Sequence, residues 1–256
     1  MKTVKFIRFQ FGNESYYGRL DGEKIFALNG DIFGEYEENG KEYYLNEVKL
    51  LTPCEPSKAI CVGLNYKRHA AELNLNVPEE PVIFMKPTTS MIGPHDDVVY
   101  WPIINRLDYE AELVVVIGKN ARNIKPEEAS DYIFGYTVGN DVTARDLQQK
   151  DGQWTRAKSF DTFLPFGPCI VRGIDPSELK VQAFLNGEIV QDGDTSDLIF
   201  SIPFIVSYIS KVMTLLPGDI IMTGTPEGVG PMQIGDTIEI RIEQLGSIVN
   251  RIVEAK

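Results

Sequence analysis

Short apolar or alternating runs, roughly three to seven residues long, recur along the chain and are punctuated by turn residues, which is the pattern of strands. Val4–Phe9 and Tyr16–Leu20 flank a turn at Gly12-Asn13, and Asp21-Gly22 leads into Ile25–Leu28. From Leu51 onward Lys58–Val62, Val82–Met85, Ala111–Ile117 and Ile133–Val138 read as further strands. Val181–Leu185 and Glu188–Val190 enclose Asn186-Gly187, the favoured two-residue hairpin turn. Asp219–Thr223, Thr237–Glu243 and Ile248–Val253 complete the set. Helical signals are fewer. Asn65–Asn74 reads as a short helix, and Pro126–Tyr132 opens with proline and acids as helix N-termini do. Leu198–Leu216 is apolar enough to be mistaken for a membrane span, but it holds Ser201, Pro203, Ser207, Ser210 and Lys211. A buried amphipathic helix with Pro203 in its first turn is the better reading.

Strands outnumber helices and β–α alternation is missing, so a doubly wound sheet is disfavoured and a β-rich α+β barrel or sandwich is expected. The spacing predicts a small N-terminal β domain over residues 1–50 and a larger domain over 51–256. Hydrophobic residues make up 43% of the 256, enough for a substantial core. The net charge of −12 repels phosphate backbones and anionic lipid, so neither nucleic acid nor membrane is an expected partner. An anionic substrate would need local positive charge or a metal to reverse that field. Cys54, Cys61 and Cys169 are few, odd in number and far apart, which suits free thiols. With no leader signal before the first strand, a cytoplasmic protein is expected.

The chemistry gathers at carboxylates. Glu110 and Glu112 stand two apart at the mouth of the apolar run Ala111–Ile117, and side chains at i and i+2 share one face of a strand. Asp141 follows the strand-like Tyr136–Gly139 and can turn into the same space. Three carboxylates make an oxygen-rich site suited to Mg²⁺ or Mn²⁺. Taken alone, Glu-x-Glu on a strand is as a rule a solvated face. His69 and Glu72 are three apart on the short helix, a spacing that suits an acid–base dyad and equally an exposed pair. His95 lies in a loop signal and receives no role. Lys86 and Lys158 could hold a carboxylate or stabilise an enolate, or could snorkel at the surface. Arg145 and Gln148 follow Asp141 on a predicted helical turn. Thr223–Gly230, with three glycines, permits close backbone approach to an anion but lacks the phosphate-loop ending; it could also be a plain turn.

The order of these motifs is more specific than any one of them. Val62-Gly63-Leu64-Asn65-Tyr66 with His69, Ala70 and Glu72 comes first, then Lys86-Pro87 and Asp108-Tyr109-Glu110-Ala111-Glu112-Leu113. Gly139-Asn140-Asp141-Val142-Thr143-Ala144-Arg145-Asp146, Lys158-Ser159-Phe160-Asp161 and Thr223-Gly224-Thr225-Pro226 with Gly228-Val229-Gly230 follow. Over roughly residues 51 to 253 this series resembles the fumarylacetoacetate hydrolase family, in the shorter branch marked by His-x-x-Glu. The first 50 residues resemble the small N-terminal domain that some members carry. The resemblance implies a rolled mixed β-sheet with a few helices, a homodimer, and Mg²⁺ or Mn²⁺ held by Glu110, Glu112 and Asp141. It implies that His69 and Glu72 form the acid–base dyad on a segment that orders over the substrate, and that Lys158 and Gln148 contact the substrate or its enolate. Thr225 then belongs to the substrate-carboxylate loop, and Lys86 is a lesser contributor.

The activity so implied is metal-dependent chemistry on a 2-oxo acid through a metal-bound enolate. C–C cleavage, by acylpyruvate hydrolysis or oxaloacetate-type decarboxylation, is the first expectation. Isomerisation or decarboxylation of 2-hydroxyhepta-2,4-diene-1,7-dioate-type acids is the alternative. A protein that only binds a metal–carboxylate complex is a third reading, against which the intact His69-x-x-Glu72 and Lys158 argue.

Overall fold

The structure is a computed structural model and describes residues 3–255. The chain opens with a meander, β1 (Val4–Phe11), β2 (Glu14–Asp21), β3 (Lys24–Gly30) and β4 (Tyr36–Tyr44), followed by the short β5 (Lys49–Leu50). Next come β6 (Ala59–Gly63), helix α1 (Lys67–Glu72), β7 (Val82–Lys86), β8 (Met91–Ile92), β9 (Val98–Tyr100), β10 (Leu107–Tyr109), β11 (Ala111–Ile117) and β12 (Ile133–Asn140). β13 (Thr143–Ala144), α2 (Arg145–Asp151), α3 (Thr155–Lys158), β14 (Leu164–Arg172), β15 (Lys180–Leu185) and β16 (Glu188–Asp194) follow. The chain closes with α4 (Ile202–Val212), β17 (Ile220–Met222), β18 (Gly230–Met232), β19 (Thr237–Ile242) and β20 (Gly246–Glu254).

The largest sheet runs β4-β3-β2-β1-β14-β12-β11-β17-β6-β7, with β5 on β1 and β8 on β14. It is mixed: β17–β6 and β14–β8 are parallel, and the rest of its pairs are antiparallel. A five-stranded sheet, β16-β15-β19-β20-β9, and a three-stranded one, β13-β10-β18, accompany it. The result is the β-rich fold with few helices that the strand pattern predicts. The sheet path is open, so of the barrel and sandwich expected from the strands the closed barrel is not formed. The N-terminal meander is not detached, because Val4, Lys5 and Phe6 of β1 pair with Arg172, Val171 and Ile170 of β14.

β11 explains why the pattern there is continuous rather than alternating. All seven of its residues are buried, and alternate residues enter two different cores. Leu113, Val115 and Ile117 pack toward the five-stranded sheet and α4, through Ile238, Ile240, Ile205 and Ile209. Val114 and Val116 face the second core, with Phe6, Phe134 and Phe166. Each such side chain contributes about 1.5–3 kcal/mol by leaving water, so this strand cannot shift without exposing one core or the other.

Two local expectations change in detail. The helix expected over Leu198–Leu216 spans only Ile202–Val212, with Pro203 in its first turn. Ile199 and Phe200 instead donate backbone N–H groups to Asn65. Pro126–Asp131 is a 3₁₀ turn rather than an α-helix. No helix among the described residues is long and apolar enough to cross a membrane. The three cysteines are free and buried.

Candidate metal centre and its pocket

The two glutamates do not both lie on β11. The ladder breaks at Glu110, between β10 and β11, and Asn140 repairs the break: its Oδ1 accepts the Glu110 N–H at 2.9 Å. The Asp141 N–H donates to the Glu110 carbonyl, also at 2.9 Å. β12 therefore runs one residue past Gly139, and Asp141 leaves it just where Glu110 enters β11. Through this stitch the carboxylates of Glu110, Glu112 and Asp141 converge, each offering one oxygen within 4.8 Å of the others, and all three are buried. The solvated-face reading of Glu110 and Glu112 does not hold.

Three cations surround the carboxylates. Lys158 Nζ donates to Glu110 Oε2 at 2.8 Å and to Asp141 Oδ2 at 2.7 Å. Lys86 Nζ donates to Asp141 Oδ1 at 2.5 Å and to the Val142 carbonyl at 3.0 Å. Arg145 reaches Glu110 Oε1 at 2.5 Å, Asp108 Oδ2 at 2.9 Å and Gln148 Oε1 at 2.6 Å. Both lysines are buried, which removes the snorkelling alternative. Lys86 braces Asp141 from behind and is not in the wall of the pocket that the other candidates line.

Charge is unevenly shared. Burial alone pushes the Glu110 carboxyl up, but Lys158 and Arg145 outweigh it and hold the group down at about 2. Burial disfavours the Lys158 ammonium, yet Asp141 and Glu110 outweigh it and keep it charged. Glu112 has no cation in salt-bridge contact among the described residues and accepts the Gly224 N–H at 2.8 Å. Burial first, then Asp141 and Glu110, push its carboxyl well above the usual range. A set of oxygen donors, buried and with one member uncompensated, fits a hard divalent cation.

His69 lines the same pocket, and Glu72 stands beside it on α1. His69 Nδ1 lies 2.9 Å from Glu72 Oε2 on α1, and the ring is buried. The Gly228 N–H donates to both Glu72 oxygens, at 3.1 and 3.3 Å, so the carboxylate is pinned to the loop after β17. With Nδ1–H directed at Glu72, Nε2 of the neutral ring is the acceptor. His69, the three carboxylates, Arg145, Gln148, Lys158 and Thr225 line one pocket of about 250 Å³. Its outer wall is apolar, with Leu64, Leu73, Leu75, Phe84 and Trp154. Gly63 permits this wall, because a Cβ there would sit 2.4 Å from the Trp154 ring. His95 takes no part in the pocket.

Arg145 is the member to which sequence reasoning attached no role. The available signal was its place: just after Asp141, and three residues before Gln148 on one face of α2. The apolar wall had no such signal, since its residues are spread from Leu64 to Trp154.

This chain belongs to the fumarylacetoacetate hydrolase family, whose members are enzymes: the model described as "Fumarylacetoacetate (FAA) hydrolase C-terminal" matches residues 58–253. A second model, "Rv2993c-like, N-terminal", matches residues 4–53. An uncharacterized protein of Archaeoglobus fulgidus is 54% identical over 238 residues, covering 90% of this chain and 95% of the relative. The human mitochondrial oxaloacetate tautomerase FAHD2A is 42% identical over 221 residues, covering 81% of this chain and 70% of the relative. Among solved structures, a 2-hydroxyhepta-2,4-diene-1,7-dioate isomerase from Mycobacterium marinum superposes with a TM-score of 0.92 at 40% identity, covering 98% of each chain.

Proposed function

We propose that this enzyme moves a proton next to the keto group of a 2-oxo acid, interconverting keto and enol or isomerising a dienol acid, with Mg²⁺ or Mn²⁺ held by Glu110, Glu112 and Asp141. The observation that carries the reading is that His69, paired with Glu72, lines one pocket with three buried carboxylates. The cation would supply Lewis-acid stabilisation of the charge that develops on the 2-oxo oxygen. His69 Nε2 takes the proton from the neighbouring carbon and returns it to the other end of the delocalised system. Glu72, held by the Gly228 N–H, orients the ring and stabilises the imidazolium that forms. Lys158 and Arg145 put positive charge at the pocket floor, where a net charge of −12 would otherwise repel the substrate carboxylate.

What favours proton transfer is that the human relative is named a tautomerase and the mycobacterial one an isomerase. The C–C cleavage expected from the motifs requires in addition a water, or a leaving carboxylate, placed against a remote carbon. It is therefore the second reading. A homodimer, which the resemblance implies, belongs to the same proposal and is checked by light scattering.

The test is oxaloacetate keto–enol interconversion, followed by absorbance with Mg²⁺ or Mn²⁺, beside a panel of acylpyruvates and dienol diacids with products identified. His69→Ala lowers turnover by about a hundredfold or more while Mn²⁺ binding persists. Unchanged turnover of the whole panel removes the dyad from the mechanism. Cleavage products in place of tautomers or isomers move the second reading to first.

A further inference from the structure

One buried side chain ties together parts of the site that belong to different sheets. Gln191 lies on β16, in the five-stranded sheet, and is 2% exposed. Its Oε1 accepts the Ala111 N–H at 3.0 Å. Ala111 stands between Glu110 and Glu112, at the ladder break described above. At its other end Nε2 donates to Thr225 Oγ1 at 2.9 Å and to the Pro226 carbonyl at 2.9 Å. The neighbours fix the amide's orientation, because a backbone N–H can only donate and a carbonyl can only accept.

The loop it holds has no slack. A Cβ on Gly228 would lie 2.4 Å from the Val190 carbonyl oxygen, and one on Gly193 would lie 2.3 Å from the Pro226 ring. Val190, Gln191 and Gly193 of β16 thus seat the same turn that carries Thr225 and pins Glu72 through Gly228.

We propose that Gln191 is a positioning residue that makes Thr225 a hydrogen-bond donor toward the pocket and holds the Thr225–Gly228 loop in register with the carboxylate segment. The physical step concerns one proton. Thr225 Oγ1 already accepts from the Gln191 amide, so its own O–H hydrogen is left for an acceptor in the pocket. A substrate carboxylate is an acceptor only, and matches it. A glutamate at 191 would keep an acceptor for the Ala111 N–H but present a second acceptor to Thr225. The hydroxyl would then turn its proton inward, away from the substrate.

This rests on the proposed 2-oxo acid reading, and the test separates the two. With the Mn²⁺-loaded full-length chain and oxaloacetate, Gln191→Glu raises KM about tenfold or more, with kcat changed less than about threefold. Thr225→Val gives a KM rise of similar size, Thr225→Ser stays near the parent value, and Gln191→Glu adds nothing further in the Thr225→Val background. A KM unmoved by Gln191→Glu, or raised by the same factor in both backgrounds, overturns the donor role. Hydrogen exchange of residues 223–230, measured without metal or substrate, needs no turnover. It speeds up about tenfold in Gln191→Glu while the β19–β20 hairpin keeps its rate. Unchanged exchange in that loop overturns the anchoring, whatever reaction the enzyme performs.

Discussion

The two ends of β17 each meet a buried carboxylate, and the two carboxylates are served differently. Before the strand, Asp219 accepts from Ser57 Oγ at 2.6 Å, the Lys58 N–H at 3.2 Å, the Leu216 N–H at 2.8 Å and the Lys58 ammonium. Four donors, one of them a cation, leave no reason for a further partner. After the strand, the Gly224 N–H donates to Glu112, which shares its space with two more carboxylates and has no cation in salt-bridge contact among the described residues. The parallel pair β17–β6 is thus locked at its N-terminal end, while the candidate site lies at its C-terminal end. A satisfied buried carboxylate holds a fold together. An unsatisfied one, kept in place by surrounding packing, is a site.

Substitutions at the two ends should therefore part stability from activity. Glu112→Gln removes a carboxylate that opposes its neighbours. Turnover falls by about a thousandfold or more, and Mn²⁺ is no longer retained in equilibrium dialysis, while the metal-free protein melts no lower than the parent. Stoichiometric Mn²⁺ in that variant would remove Glu112 from the centre.

Asp219→Ala should behave in reverse. It strands Lys58 and three other donors, and urea unfolding should show a loss of about 3 kcal/mol, the low end for a broken buried pair because Lys58 keeps some solvent contact. kcat/KM at a temperature where the variant is folded should stay within about threefold of the parent. A large loss of turnover with intact stability would mean that the two ends are not independent.

The smallest effect is expected at the thiols. Cys54 lies by the locked end and Cys61 on β6, and with Cys169 they are buried, which pushes all three thiols up. Ellman's reagent should find no reactive thiol in the native protein and three after denaturation. Fast modification of Cys61 in the native state would show the β6 end of the pocket opening.

Much of the frame is legible along the chain because it is local. Alternation, turn residues and β-branching mark β1 to β3, β6, β7, β11 and β12, and Asn186-Gly187 makes its hairpin with both residues at positive φ. Several strands escaped that reading, and the two longest of them, β4 and β14, did so for different reasons. β4 is largely exposed and polar, and exists because β3 offers it an edge. β14 carries Pro165, Gly167 and Pro168, which read as turn signals, yet it bonds to β1, β12 and β8 and sits at the centre of the large sheet.

For the site, the residue types and their order along the chain identify the family and the candidate ligands. His69 and Glu72 meet by local geometry, whereas Glu110 and Glu112, on either side of the ladder break, are brought together with Asp141 by the Asn140 stitch. Tertiary structure decides which of these charges are neutralised. Lys158 meets Glu110 across 48 positions of sequence, Lys86 meets Asp141 across 55, and the Gly224 N–H meets Glu112 across 112. Gln191 joins Ala111 to Thr225 over comparable separations. Spacing rules reach only about one turn of helix or two residues of strand, whereas the field at a buried carboxylate is set by whatever the fold brings within a few ångströms. The sequence alone therefore determined a β-rich fold, its family and the ligands on offer. Only the packed structure decided that Lys86 is a brace, that Arg145 is part of the floor and that Glu112 is the carboxylate left without a counter-charge.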